Sequence, residues 1–168
     1  MNEHRDQKID LDRHLPYLQR AVELARQARE HGNHPFGALL IDDQGNILLE
    51  AENSVVSEGD CTGHAETNLV RAACREYSPE FLARCTLYTS TEPCAMCAGA
   101  IYWAGVGKVV YALSEAELRQ MTGAHAENPT LDLPCREIFQ RGQREIEVIG
   151  PINFPEARQV HHGFWDSE

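Results

Sequence analysis

Residues 85–113 read CTLYTSTEPCAMCAGAIYWAGVGKVVYAL. The first six are rich in β-formers and predict a strand over 85–90. Thr91-Glu92-Pro93 breaks it, and Pro93 suits the first turn of a helix predicted over 94–104. Gly105 and Gly107 bracket the exit into another strand, 108–113. Strand, helix, strand in that order implies parallel neighbours joined by a right-handed crossover, and therefore an α/β fold.

Upstream, Leu18, Val22 and Ala25 recur at helical spacing, with Leu15 just ahead, and predict an amphipathic helix over 16–30. His31-Gly32-Asn33 carries its stop signal. Apolar runs at 37–41 and 47–50, joined by Asp42-Asp43-Gln44-Gly45-Asn46, predict a β-hairpin whose second strand runs on towards Asn53. A polar loop, 54–63, leads to a helix over 65–76 with Leu69, Ala72 and Ala73 on one face and Thr62 as its expected cap.

Downstream, Ser114-Glu115-Ala116-Glu117 matches a capping box and starts a short helix to about Met121. Residues 122–132 are irregular. A helix over 134–141 closed by Gly142, a last strand over 145–149 ended by Gly150-Pro151, and a turn or two of helix around 156–160 complete the order. The expectation is a three-layer α/β/α sandwich with one mixed five-stranded sheet. It is a single domain over 1–168 whose tails, about 1–14 and 151–168, are peripheral and the only candidates for disorder.

The chain has 168 residues, 42% hydrophobic and 24% charged, as in ordinary globular proteins. No apolar run approaches the ~18 residues of a membrane span. The polar segment from Met1 to Asp12 has neither a secretory nor a transit character, so the expected location is the cytoplasm. The formal net charge of −11, from 26 acids against 15 bases, weighs against a polyanionic partner such as tRNA and favours a small molecule. Of six cysteines, two form Cys94-x-x-Cys97, which favours a metal site in a reduced protein over a disulfide framework. Cys61, Cys74, Cys85 and Cys135 are then spare.

His64, Cys94 and Cys97 offer zinc one imidazole and two thiolates, three of its four tetrahedral positions. No fourth ligand stands nearby in the sequence, which leaves the open position that catalysis on water needs. Both segments begin helices, whose N-termini favour thiolates. Glu66, two residues after His64, is placed to move protons: from the water to a ring nitrogen, then to departing ammonia. A lone Cys-x-x-Cys also fits a redox pair, and a zinc-stabilised binding protein without turnover is the non-enzyme alternative. The latter predicts a fourth protein ligand and no use for Glu66. His64-Ala65-Glu66 followed by Pro93-Cys94-Ala95-Met96-Cys97 is the signature of the zinc deaminases.

Those residues, with Leu87 to Glu92, Ala98 to Ala104, Pro35-Phe36-Gly37-Ala38 and Asn53, resemble the cytidine deaminase-like superfamily. Within it they look most like the bacterial guanine deaminases and the related tRNA adenosine deaminases. The resemblance runs from about Pro16 to Tyr111 and loosens after it. It implies one Zn²⁺ per chain, a homodimer, and hydrolysis of guanine to xanthine and ammonia. The alternatives are a tRNA adenosine and another small aminated heterocycle (cytosine, a nucleoside, an aminotriazine). By resemblance, Asn53 hydrogen-bonds the purine, Phe36 and Trp103 line its pocket, and the Ala65 N–H meets the substrate carbonyl. The guanine deaminases also carry an acid in the segment after the fourth strand; here Glu127 or Asp132 would supply it, Glu127 being preferred. Their C-terminal tail closes the site, a role open here to His161, His162, Phe164 and Trp165.

Overall fold

The computed structural model describes residues 3–123 and 125–166, with side chains from Asp10 onward. In chain order the elements are α1 (Glu3–Glu30), β1 (Gly37–Ile41), β2 (Ile47–Glu52), α2 (Val55–Glu58), α3 (Ala65–Glu76), α4 (Pro79–Leu82) and β3 (Thr86–Thr91). After them come α5 (Ala95–Ala104), β4 (Lys108–Leu113), α6 (Glu115–Thr122), α7 (Cys135–Gln140), β5 (Glu147–Ile149) and α8 (Pro155–Gln159). The strands form one mixed sheet in the order β2-β1-β3-β4-β5. β1 runs antiparallel to β2 and to β3, while β3, β4 and β5 are parallel. This is the five-stranded sandwich read from the sequence.

Alternation along the strands builds a core on each face. Ala38, Leu40, Leu87, Val109 and Tyr111 pack with Leu69, Ala73 and Ile101 of α3 and α5. Leu39, Ile41, Tyr88, Val110 and Ala112 pack with Leu18, Val22 and Ala25 of α1, Leu118 of α6 and Ala157 of α8. Gly37 lets α1 lie directly on β1: a Cβ there would collide with the backbone of Ala21 and Ala25.

The helices differ from the sequence expectation at four places. α1 starts at Glu3 rather than Pro16, and Pro16 lies inside it. A proline mid-helix removes one backbone bond, yet the helix continues because its earlier part is anchored: His14 is buried, with Nδ1 2.7 Å from the Tyr88 hydroxyl. The loop 54–63 contains the single turn α2, and α4 forms where Ser78 caps a helix with Pro79 at its start. The cap of α3 is His64, not Thr62, whose carbonyl instead accepts from the Thr67 hydroxyl. The capping box of Ser114 and Glu117 forms on both sides.

The tails are not peripheral throughout. Ile152, Ala157, Val160, His161 and Trp165 are buried, and the Arg29 guanidinium donates to the Val160 and His162 carbonyls at 2.9 and 2.7 Å. Met1, Asn2, Ser167 and Glu168, which belong to the expected tails, and Ala124 of the loop after α6 lie outside the described residues. Among the described residues no helix is long and apolar enough to cross a membrane.

Candidate active site

The site forms where β3 ends and α3 and α5 begin, at the carboxyl end of the parallel strands. His64 and Cys94 are the N-cap residues of α3 and α5, both with extended backbone. That conformation turns their side chains out of the helices and towards each other. Cys97, one turn into α5, completes the group. His64 Nδ1 lies 3.5 Å from Cys94 Sγ and 3.5 Å from Cys97 Sγ. With zinc–sulfur and zinc–nitrogen bonds of ~2.3 and ~2.0–2.1 Å, a tetrahedral site has an N···S edge of about 3.5 Å, so the three atoms stand at ligand spacing. Among the described residues no fourth ligand-type side chain joins them, against the expectation for a purely structural zinc.

The electrostatics fit a cation. The Cys97 thiol donates to Cys94, and with His64 it holds the Cys94 thiolate down at about 4, against the burial that opposes ionisation. The same bond, and burial, push the Cys97 thiol up. His64 is raised mainly by its bond to Cys94. A divalent ion held by these atoms would displace the remaining thiol and imidazole protons.

Glu66 is 5% exposed, and burial raises its carboxyl from the ordinary range. Its Oε1 lies 2.6 Å from the Thr89 hydroxyl and its Oε2 3.6 Å from Cys97 Sγ. It therefore stands beside the metal position without belonging to the ligand group. A cavity of about 320 Å³ opens above, lined by His64, Glu66 and Cys94 at its floor and by His34, Phe36, Val55, Glu115, Leu118 and the loop 127–131 at its walls. Among the described residues no lysine or arginine lines it.

The other expected site residues divide. Phe36 lines the cavity. Asn53 is 1% exposed; its Oδ1 accepts from the Val55 N–H at 3.1 Å, while its amide nitrogen is buried with no partner. Ala65 is in the first turn of α3, where backbone N–H groups have no intrahelical acceptor. Glu127 lines the cavity, 3.1 Å from His34 Nε2. Asp132 instead pairs with Arg119 at the surface. Trp103 is a correction: it is 83% exposed on the outward face of α5 and does not line the cavity of its own chain. Phe36 and His34, which do line the cavity, are backed from behind by the Trp165 ring of the C-terminal segment.

Three residues were not singled out from the sequence. His34 is buried, and burial lowers its pKa despite the nearby Glu127 carboxylate. Thr89 holds Glu66. Glu115 is 8% exposed in the cavity wall; burial first, then the Cys94 and Glu66 charges, push its carboxyl up to about 8. Its signal was an acid at the first position of a capped helix, which the helix dipole alone accounts for.

The family model for the cytidine and deoxycytidylate deaminase zinc-binding region matches residues 11–113. A probable cytosine deaminase of Schizosaccharomyces pombe is 42% identical over 155 residues, 92% of this chain and 94% of its own length. The guanine deaminase of Bacillus subtilis is 44% identical over 105 residues, 62% of this chain and 67% of its own. Its X-ray structure superposes with a TM-score of 0.59 at 30% identity, covering 92% of this chain and 95% of that one.

Proposed function

Because the chain belongs to the cytidine and deoxycytidylate deaminase family, a family of zinc-dependent hydrolytic deaminases, we propose that its substrate is a free nucleobase, read by resemblance as guanine. The observation that carries the reading is the cavity: small, walled by Phe36 and aliphatic groups, and bearing acids but, among the described residues, no lysine or arginine. A flat neutral base fits such walls. A tRNA or nucleotide would leave its phosphates without a positive partner beside the metal position.

His64, Cys94 and Cys97 would hold the zinc, which would supply the Lewis acidity for attack by water at neutral pH. Glu66 accepts the proton of that water and passes it to the ring nitrogen. Glu66 then takes the remaining proton from the new hydroxyl and delivers it to the exocyclic amine, so that the C–N bond breaks, ammonia leaves and the ring carbon becomes a carbonyl. The Asn53 amide nitrogen and the Ala65 N–H meet the far edge of the base. Phe36 stacks on it, backed by Trp165. Glu115, neutral below about pH 8, both donates and accepts at the wall. Glu127, beside His34, is the acid from the loop after β4.

Cytosine is the second reading. The relative described as a probable cytosine deaminase matches over 155 residues, 92% of this chain. A cytoplasmic location and a homodimer are part of the proposal. The dimer would use the outward face of α5, an apolar helix that leaves Trp103 in solvent.

Ammonia release from guanine, cytosine, adenine, their nucleosides, an aminotriazine and tRNA tests the substrate. Release from guanine supports the first reading, and release from cytosine alone replaces it with the second. Turnover of tRNA with no free base reacting overturns both.

A further inference from the structure

Glu92 is buried between three elements. Its Oε2 accepts from the Glu115 N–H at the start of α6, and its Oε1 from the Cys135 N–H at the start of α7, each at 2.9 Å. Its own N–H donates to the Leu113 carbonyl at the end of β4, at 2.7 Å. One side chain thus ties the segment before Cys94 to the first turns of two helices from a later part of the chain.

A buried carboxylate with both oxygens occupied is a tightly defined fixture. The following Pro93 restricts the backbone of Glu92 to extended conformations, so the turn into Cys94 has little freedom of its own. The position of that turn against β4 and α6 is then set by the carboxylate. Cys94 is two residues further on, at the N-cap of α5. Glu115, whose N–H is held, faces the same cavity.

We propose that Glu92 is a positioning residue for the metal centre: it fixes the Cys94 end of the site by gripping the N-termini of α6 and α7. The inference rests on the reading that His64, Cys94 and Cys97 hold zinc. Glu92→Gln is isosteric, but it turns one acceptor into an N–H donor facing a backbone N–H. Glu92→Asp keeps the charge and is too short to reach both partners. Outer contacts of this kind are worth roughly 10- to 100-fold in metal affinity.

The test uses the full zinc-loaded chain and measures the rate of zinc transfer to a chromogenic chelator, with the visible spectrum of the Co²⁺-loaded protein as a second readout. Leu18→Ala, a core truncation on the opposite face of the sheet, serves as a comparison for lost stability alone. Glu92→Gln is expected to release zinc at least about tenfold faster than wild type and to alter the cobalt spectrum. Leu18→Ala is expected to change neither, even with a lower Tm. Should Glu92→Gln not accumulate as folded protein, Glu92→Asp carries the same expectation. Wild-type rates and spectrum in the folded Glu92 variant overturn the proposal, whatever its Tm. A wild-type chain that holds no zinc overturns the metal reading itself, which separates the two failures.

Discussion

The Thr89 hydroxyl sits 2.6 Å from Glu66 Oε1 and 2.9 Å from the Thr91 carbonyl. It has one proton to donate. Facing an ionised Glu66, it donates to the carboxylate. Facing a protonated Glu66, it accepts and donates to Thr91 instead. A carboxyl that must take a proton and give it back therefore has a partner for both states.

Thr89→Val keeps the branched shape and removes the hydroxyl. A hydrogen bond to a charged group is worth ~1.5–3 kcal/mol, so kcat is expected to fall roughly 10- to 100-fold, with zinc retained. Thr89→Ser is expected to restore most of the rate. Steady-state kinetics of the two variants checks this; a Val variant as fast as wild type would show that Glu66 works unaided.

Glu66→Gln keeps the volume of the side chain and loses its proton-transfer capacity. Zinc content is expected to match wild type, because Glu66 lies outside the ligand group. Turnover is expected to drop by ~10²–10⁴-fold or more. Metal analysis and ammonia assay on one preparation decide it, and full turnover would remove Glu66 from its role.

Asn53 combines a satisfied oxygen with a nitrogen that has no partner inside the protein. Buried polar groups are nearly always paired, so the vacant amide donor is read as meeting substrate. Asn53→Asp keeps an acceptor for Val55 and removes the donor. Its kcat/KM is expected to fall roughly 10- to 100-fold, the scale of one lost bond and the unpaired group it leaves. An unchanged kcat/KM would assign Asn53 to the turn alone.

His161 accepts from Trp165 Nε1 at 3.1 Å and is 2% exposed. Burial, then the nearby Arg29 and His162, hold its pKa at about 3, against an ordinary 6.5. The folded state thus prefers the neutral ring, and the contribution is complete above pH 6.5. Below it the unfolded chain takes up a proton that the folded chain refuses. Stability should then fall as the pH drops towards 3, with a limiting slope of ~1.4 kcal/mol per pH unit. His14 and His34 titrate with the same sign, so the difference between wild type and His161→Gln is the quantity to measure. The Tm of the variant should depend less steeply on pH between 4 and 6.5; equal slopes would refute the assignment.

What could be read from the sequence follows from how local each signal is. Cys94-x-x-Cys97 spans one helix turn, so spacing brings its sulfurs to one side, and His64-x-Glu66 is a motif short enough to read directly, its geometry set by His64 as the extended N-cap of α3. Alternation and turn residues likewise define β1, β3 and β4. Glu115 and His34 become site residues only through tertiary closure: Glu92 holds the Glu115 N–H at the start of α6, and His34 comes in from the loop between α1 and β1. In the sequence, Glu115 is merely an acid in a capped first turn. Trp103 fails for the converse reason: it adjoins the cysteine motif in sequence, yet falls on the outward face of α5. Trp165, some sixty residues later, backs His34 and Phe36 of the cavity wall instead, and no local pattern carries that contact. Pro16 marks a helix start by local rules, but the packing of His14 against Tyr88 overrides them.

The arrangement of one imidazole and two sulfurs, with an acid beside them outside the ligand group, is tested most directly by metal analysis. Freshly purified wild-type protein and Cys94→Ser are compared before and after exposure to a chelator. One zinc per chain in wild type, and a large loss in the variant together with ammonia release, is the predicted result. Wild-type protein that deaminates with no bound metal, or a Cys94→Ser chain that keeps its zinc in full, would contradict it.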